Sequence, residues 1–140
     1  MNDHASTGCG LCASLRNEQC RLINRNEHAA ALIIREPLMP FHALVLPVRH
    51  VAHCTELTEH ESKALHALLE ELTRHMDTEL GCAALAALNG ARFRTQPHLH
   101  YQVLPVQAGL RTVVSAHLGV EERQTAETAE LALMAERIRW

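Results

Sequence analysis

No stretch of this 140-residue chain approaches the ~18 continuous apolar residues of a membrane-crossing helix. Residues 1–8 are polar and lack a charged segment followed by an apolar run, so no export signal is expected and the expected location is the cytoplasm. A Lys/Arg run is also missing. The formal charge is only −3, lysine occurs once, at Lys63, and the two signs are mixed along the chain, which removes the electrostatic footprint of a phosphate-backbone binder. Neither nucleic acid nor membrane is expected as a partner. There is no internal repeat, no low-complexity segment and no second C-x2-C, so a metal at the one close cysteine pair would take its remaining ligands from distant positions, histidines above all.

What is present suffices for one compact domain over 1–140, since 47% of residues are hydrophobic and 21% charged. The five cysteines are expected to be reduced, and the close pair in Cys9-Gly-Leu-Cys12 reads as metal or redox chemistry before disulfide. That spacing lets two thiolates meet one tetrahedral zinc, with the remaining ligands drawn from distant positions. A thioredoxin-type redox pair wants a strand before it and a helix after it, and nothing before Cys9 looks like a strand. Two unrelated thiols near a terminus are the third alternative. Of the eleven histidines, His4, His60, His66 and His75 sit among polar or helical neighbours and read as solvated surface.

Cys20–Asn24 and Ala29–Arg35 are short apolar runs around Arg25-Asn26-Glu27-His28, which predicts a β-hairpin. His42–Pro47 reads as a third strand, followed directly by Arg49 and His50. From Thr58 the period changes. Thr58-x-x-Glu61 is a capping box, and Leu65, Leu68, Leu69, Leu72, Met76 and Leu80 recur at helical spacing up to Gly81. A fourth strand over Ala83–Leu88 ends at Asn89-Gly90, and a central strand over His98–Leu104 is expected to stop at Pro105. Further on, Leu110–Ala116 is read as another strand and Glu121–Ile138 as a C-terminal helix with Leu131, Met134, Ala135 and Ile138 on one face. The order of elements predicts an α+β fold with an antiparallel sheet.

The densest chemistry lies in Thr95-Gln-Pro-His-Leu-His-Tyr-Gln102. Side chains alternate along an extended chain, so His98, His100 and Gln102 share one face and Leu99, Tyr101 and Val103 the other. Such a pair of histidines suits either metal coordination or catalysis. The pattern resembles the histidine-triad superfamily, whose signature is His-x-His-x-His followed by apolar residues. With Gln102 in the third place, it is similar to the branch containing galactose-1-phosphate uridylyltransferase and the dinucleoside tetraphosphate phosphorylases. The resemblance covers residues 9–105: the C-x2-C, the hairpin, Pro37–Pro47, Arg49-His50, the long helix, Asn89-Gly90 and the histidine motif. Residues 106–140 form a C-terminal extension outside it.

The resemblance implies the rest of the metal site. His50 and His98 would join Cys9 and Cys12 around a structural zinc, although some relatives lack the metal, and a site using Cys54 stays open. His100 becomes the nucleophile, attacking the α-phosphorus of a nucleotide or nucleotide sugar and leaving a nucleotidyl-histidine for water or another phosphate to resolve. Thr95 and Gln102 would donate to the nonbridging oxygens, and Asn89 and Gln96 would contact the substrate. Because an amide cannot protonate a leaving group as an imidazolium can, Gln102 favours phosphate-containing leaving groups over an amine. Two departures stand out: Ile34 occupies the place of a ribose-binding acid, with Glu36 as its substitute, and Phe41 replaces a glycine before His42. A homodimer is implied as well. The rival readings are a zinc-stabilised nucleotide-binding or interaction module with little catalysis, and a thiol redox protein.

Overall fold

The computed structural model describes residues 8–140; His4, assigned above to the surface, lies outside them. The chain divides into two compact units, one extending to Gln107 and the other spanning Ala108–Trp140.

The first unit carries helix α1 (Gly10–Asn17), strands β1 (Leu22–Arg25), β2 (Ala29–Ile33) and β3 (Ala43–Pro47), helix α2 (Glu59–Leu80), and strands β4 (Ala83–Ala87) and β5 (Tyr101–Val106). The strands form one antiparallel sheet in the order β1-β2-β3-β5-β4. With the four α-helices of the described residues, this is the expected α+β architecture.

The sheet is covered on both faces, and the alternation of β2 and β3 decides which residue meets which cover. Ala29, Ala31, Ala43 and Val45 face α2, packing with Leu65, Leu68, Leu72 and Met76. Ala30, Leu32, Leu44 and Leu46 face the other way, against Cys9, Leu11, Cys12 and Leu15. Small side chains beneath α2 let the helix lie close to the sheet. Each fully buried Leu or Met of its stripe contributes roughly 2 kcal/mol by leaving water. The hairpin turn is an Asx turn. Asn26 Oδ1 accepts from the His28 and Ala29 amides at 3.0 and 2.8 Å, while Asn26 Nδ2 donates to the Ala64 carbonyl at 2.9 Å and ties the turn to α2. The capping box forms as read: Thr58 Oγ1 accepts from the Glu61 amide at 3.2 Å, and Glu61 Oε2 accepts from the Thr58 amide at 2.8 Å. Gly81 closes α2 with φ +60°, a left-handed value that suits glycine.

Several boundaries differ from expectation. Cys20 lies in a 3-10 turn, Gln19–Arg21, and β1 begins only at Leu22. The central strand starts at Tyr101, so the two motif histidines sit in the extended segment that feeds it. Pro105 does not stop that strand. It lies inside β5 opposite Ala84, past Val103, the last residue paired with β3, so β5 there keeps β4 alone as neighbour and the missing N–H costs no ladder bond on the β3 side.

The second unit holds α3 (Leu110–Leu118) and α4 (Thr128–Ile138). Leu110–Ala116 is therefore helical and not a strand. Val113 and Val114 suggest β structure locally, but Gly109 before the segment and Gly119 after it, with φ +67°, delimit a helix. The C-terminal helix begins at Thr128 and not at Glu121, and Leu131, Met134 and Ile138 on it are exposed.

Candidate active site and metal centre

The segment after β3 and the segment before β5 run side by side. His98 Nε2 donates to the Pro47 carbonyl at 2.8 Å and the Leu99 amide donates to the Val51 carbonyl at 2.7 Å, which seats His50 against His98 with ring centroids 4.9 Å apart. Leu99 and Val103 enter the α2 core while His98 and His100 turn to the opposite face, so the alternation read from the motif holds. On that face lies α1, whose N-cap is Cys9. The helix turn brings Cys12 back beside Cys9, and the Cys9 sulfur accepts from the Cys12 amide at 3.5 Å.

The result is a cluster in which one ligand atom from each of Cys9, Cys12, His50 and His98 lies within 4.8 Å of every other. His98 Nδ1 is 3.6 Å from Cys9 Sγ and 3.4 Å from Cys12 Sγ, and His50 Nδ1 is 3.4 Å from Cys12 Sγ. For metal–sulfur and metal–nitrogen bonds of about 2.3 and 2.0–2.1 Å, a tetrahedral centre separates S from N by about 3.6 Å, so the four groups fit a single ion. Because His98 gives its Nε2 proton to Pro47, Nδ1 keeps its lone pair toward the sulfurs. Burial pushes His98 down to about 4, which keeps the ring neutral. The Cys12 thiol is pushed up to about 11, first by burial and then by Cys9; a bound cation reverses that and takes the thiolate. Cys54, the alternative ligand, is exposed on the turn Cys54–Glu56 and lies outside the cluster.

Next to this centre opens a cleft of about 460 Å³ whose lining includes Gly10, Thr95, Gln96, His100, Leu44 and Ile34. His100 is buried, and its Nδ1 donates to the His98 carbonyl at 2.7 Å, so the tautomer that makes this bond has its lone pair on Nε2. Gln96 lies over the start of α1, with its Oε1 3.5 Å from where a Cβ on Gly10 would stand. Glu36 lines the cleft from an exposed position, whereas Asn89 is exposed after β4 and is not among the lining residues. Phe41 is also outside the lining. It adopts φ 66°, the left-handed conformation glycine would take without strain, so the substitution loads the turn and does not narrow the cleft.

Gln102 sits beside the cleft, with Leu44 as its cross-strand partner. One residue overlooked in the sequence controls it. Buried His42 accepts the Leu38 amide on Nδ1 at 3.2 Å, so its proton is on Nε2, which donates to Gln102 Oε1 at 3.0 Å. That bond takes the glutamine's only acceptor and leaves its NH₂ for an anionic oxygen. The signal in the sequence was the pairing of the third strand with the motif: a histidine two residues before Leu44 stands next to the partner of Leu44.

Residues 16–109 match the HIT domain family. The chain belongs to that family. The chain is 33% identical over 128 residues to galactose-1-phosphate uridylyltransferase of Haemophilus influenzae, covering 85% of this chain and 36% of that protein. It is 32% identical over 82 residues to the bifunctional bis(5'-adenosyl)-triphosphatase/adenylylsulfatase FHIT of Arabidopsis thaliana, covering 56% and 46%. The chain thus spans about a third to under half the length of these curated relatives. Among solved structures, the fold is shared with a Zn-bound histidine triad family protein from Mycobacterium smegmatis (TM-score 0.64, 22% identity, 89% and 88% of the two chains). It is shared also with a HIT family hydrolase from Clostridium thermocellum (TM-score 0.59, 25% identity, 74% and 95%).

Proposed function

We propose that this HIT domain is a nucleotidyltransferase or nucleotide hydrolase acting on a nucleoside polyphosphate or nucleotide sugar. The observation that carries the reading is the bond from His100 Nδ1 to the His98 carbonyl, which frees Nε2 of a cleft-lining imidazole to act as a nucleophile. His100 Nε2 attacks the α-phosphorus, a P–N bond forms, and the bond to the leaving phosphate oxygen breaks with its electron pair departing on that oxygen. Water or a second phosphate then attacks the nucleotidyl-histidine and returns the electron pair to Nε2. The Gln102 amide, held by His42, and the Thr95 hydroxyl donate to the nonbridging oxygens as charge develops.

Zinc is the metal proposed for the Cys9, Cys12, His50 and His98 cluster, supported by its sulfur and nitrogen donors and by the zinc in the Mycobacterium smegmatis relative. Four protein ligands close the coordination shell, so the ion holds α1 and the His98 segment together and offers no position to substrate. A homodimer is proposed from the family resemblance, and the uncharged strand β4, which ends the sheet, offers an edge for a second copy. Sedimentation equilibrium should then report twice the 15.6 kDa chain mass, and a purely monomeric mass would reject it.

Leaving-group chemistry tests the activity. With glutamine at 102, dinucleoside polyphosphates or nucleotide sugars should be turned over far faster than an adenosine phosphoramidate, whose amine needs a proton. Faster cleavage of the phosphoramidate would show that another group supplies the acid. The second reading, a nucleotide-binding module with little catalysis, draws on Ile34 in the cleft wall, and an absence of turnover across the panel with nucleotide binding intact would favour it.

A further inference from the structure

One end of the cleft is built by charged side chains that the nucleotidyl-transfer reading leaves without a task. Glu18, just past α1, lines the cleft with Arg21, Ile34 and Arg35. Its Oε2 lies 2.6 Å from Arg21 Nε, and its Oε1 is paired with Arg35 and lies 3.4 Å from the Ser14 hydroxyl. Arg21 is itself fixed. Its Nη1 donates to the Ile33 carbonyl at 2.8 Å and its Nη2 to Ser14 Oγ at 2.5 Å, and its side chain is only 16% exposed. One guanidinium therefore sews the end of α1 to the end of β2 and sets a carboxylate where position 34 of the chain is apolar.

The carboxylate has the properties of a neutral-hydroxyl acceptor. Desolvation pushes the Glu18 carboxyl up, but the Arg21 and Arg35 charges outweigh this and hold it below the usual carboxylate range, so it accepts hydrogen bonds and donates none. An ionised carboxylate has about four acceptor sites, and hydrogen bonds from Arg35 and the Ser14 hydroxyl use two, both on Oε1, while Arg21 Nε lies close as an ion-pair partner of Oε2. Arg35, with a side chain 70% exposed, is not locked in place as Arg21 is, so a ligand can share or displace it. Glu36, the other carboxylate of the lining, is exposed, and among the described residues no hydrogen bond or ion pair orients it. His100 lines the same cleft as Glu18, with apolar Leu44 and Ile34 also in its wall, so a nucleotide whose phosphorus lay at His100 would extend along a lining that includes this carboxylate.

Resting on the nucleotidyl-transfer reading, we infer that Glu18, oriented by Arg21, is the residue that accepts the vicinal hydroxyls of the substrate's ribose, in place of an acid at position 34. The site then selects ribonucleotides over sugars lacking the diol.

The test is calorimetric titration of the full chain with adenosine and uridine 5′-monophosphates and their 2′,3′-dideoxy counterparts. The wild-type chain should bind the better ribonucleotide about tenfold or more tighter than its dideoxy form, the size of one to two charge-assisted hydrogen bonds. Glu18→Gln should bring that ratio to within about twofold, because an amide replaces an ionised acceptor, while Glu36→Gln keeps it. Glu18→Asp, which retains the charge, should keep part of the ratio and decides the matter if the glutamine variant does not fold. Equal wild-type affinities for the two sugars would overturn the inference, as would a ratio that survives Glu18→Gln and collapses in Glu36→Gln. Mass analysis of the same proteins after incubation with the matching triphosphates separates the two levels: a His100 adduct formed without sugar discrimination overturns the role of Glu18 alone. Absence of both adduct and nucleotide binding overturns the nucleotidyl reading with it.

Discussion

Glu61 joins the packing of the long helix to the position of His50. Its carboxylate caps α2 through Thr58 and receives Arg49 at 2.6 and 2.8 Å, while Arg49 also donates to the Glu56 carbonyl at 2.8 Å. The Arg49 hydrogen bonds hold the Glu61 carboxyl down to about 2 against the burial that raises it. A carboxyl whose folded value lies below its unfolded value contributes stability that is complete above the unfolded value of about 4.5 and is lost as pH falls toward about 2. Urea melts across that window should show the wild-type chain losing more stability than Glu61→Gln, which has no proton to take up. The variant should be destabilised by roughly 1–3 kcal/mol at neutral pH, since a buried, paired acceptor is replaced. Parallel pH curves for the two proteins would show that the ion pair is not coupled to folding. The capping role of Glu61 was legible from Thr58-x-x-Glu61, but its pairing with Arg49 was not, because the loop Val51–Leu57 that brings them together has no periodic signal. The same limit applies to His42: its place on β3 was readable, while its grip on Gln102 depends on which strand β3 pairs with.

At the scale of elements, α2 and the strands before it were legible because their hydrophobic periods differ, 3.6 against 2, and because Thr58 and Gly81 mark the helix ends. Helix α1 was not anticipated, since eight residues holding one cysteine and two leucines show little periodicity; what makes it stable is packing on the second face of the sheet. That dependence makes α1 the element most sensitive to the metal. Cys9 and Cys12 lie at its first turn and His98 on the segment it covers, so an ion bound there links the helix to the sheet. Cys12→Ser should lose about one equivalent of zinc per chain by elemental analysis and unfold at markedly lower temperature, and a strong chelator should reproduce the effect in the wild-type chain. A native chain without bound zinc, as stable as one supplied with it, would show that the four groups hold together unaided.

For the whole molecule, the five-stranded sheet acts as a partition. Its α2 face is core, and its α1 face carries both the Cys9, Cys12, His50 and His98 cluster and the cleft with His100. The unit after Gln107 exposes Leu131, Leu133, Met134 and Ile138, and the family match ends at residue 109, next to that division. The chemistry proposed for the cleft comes down to one covalent bond. The measurement that bears on it most directly is intact and peptide-level mass spectrometry after brief incubation with dinucleoside polyphosphates and nucleotide sugars. The account predicts a single nucleotidyl group on His100, absent in His100→Gly, whose turnover should fall by several orders of magnitude, with zinc content and fold unchanged because the residue is neither a metal ligand nor part of the two apolar cores. A nucleotidyl group on another residue, or near-normal turnover by His100→Gly, would contradict it.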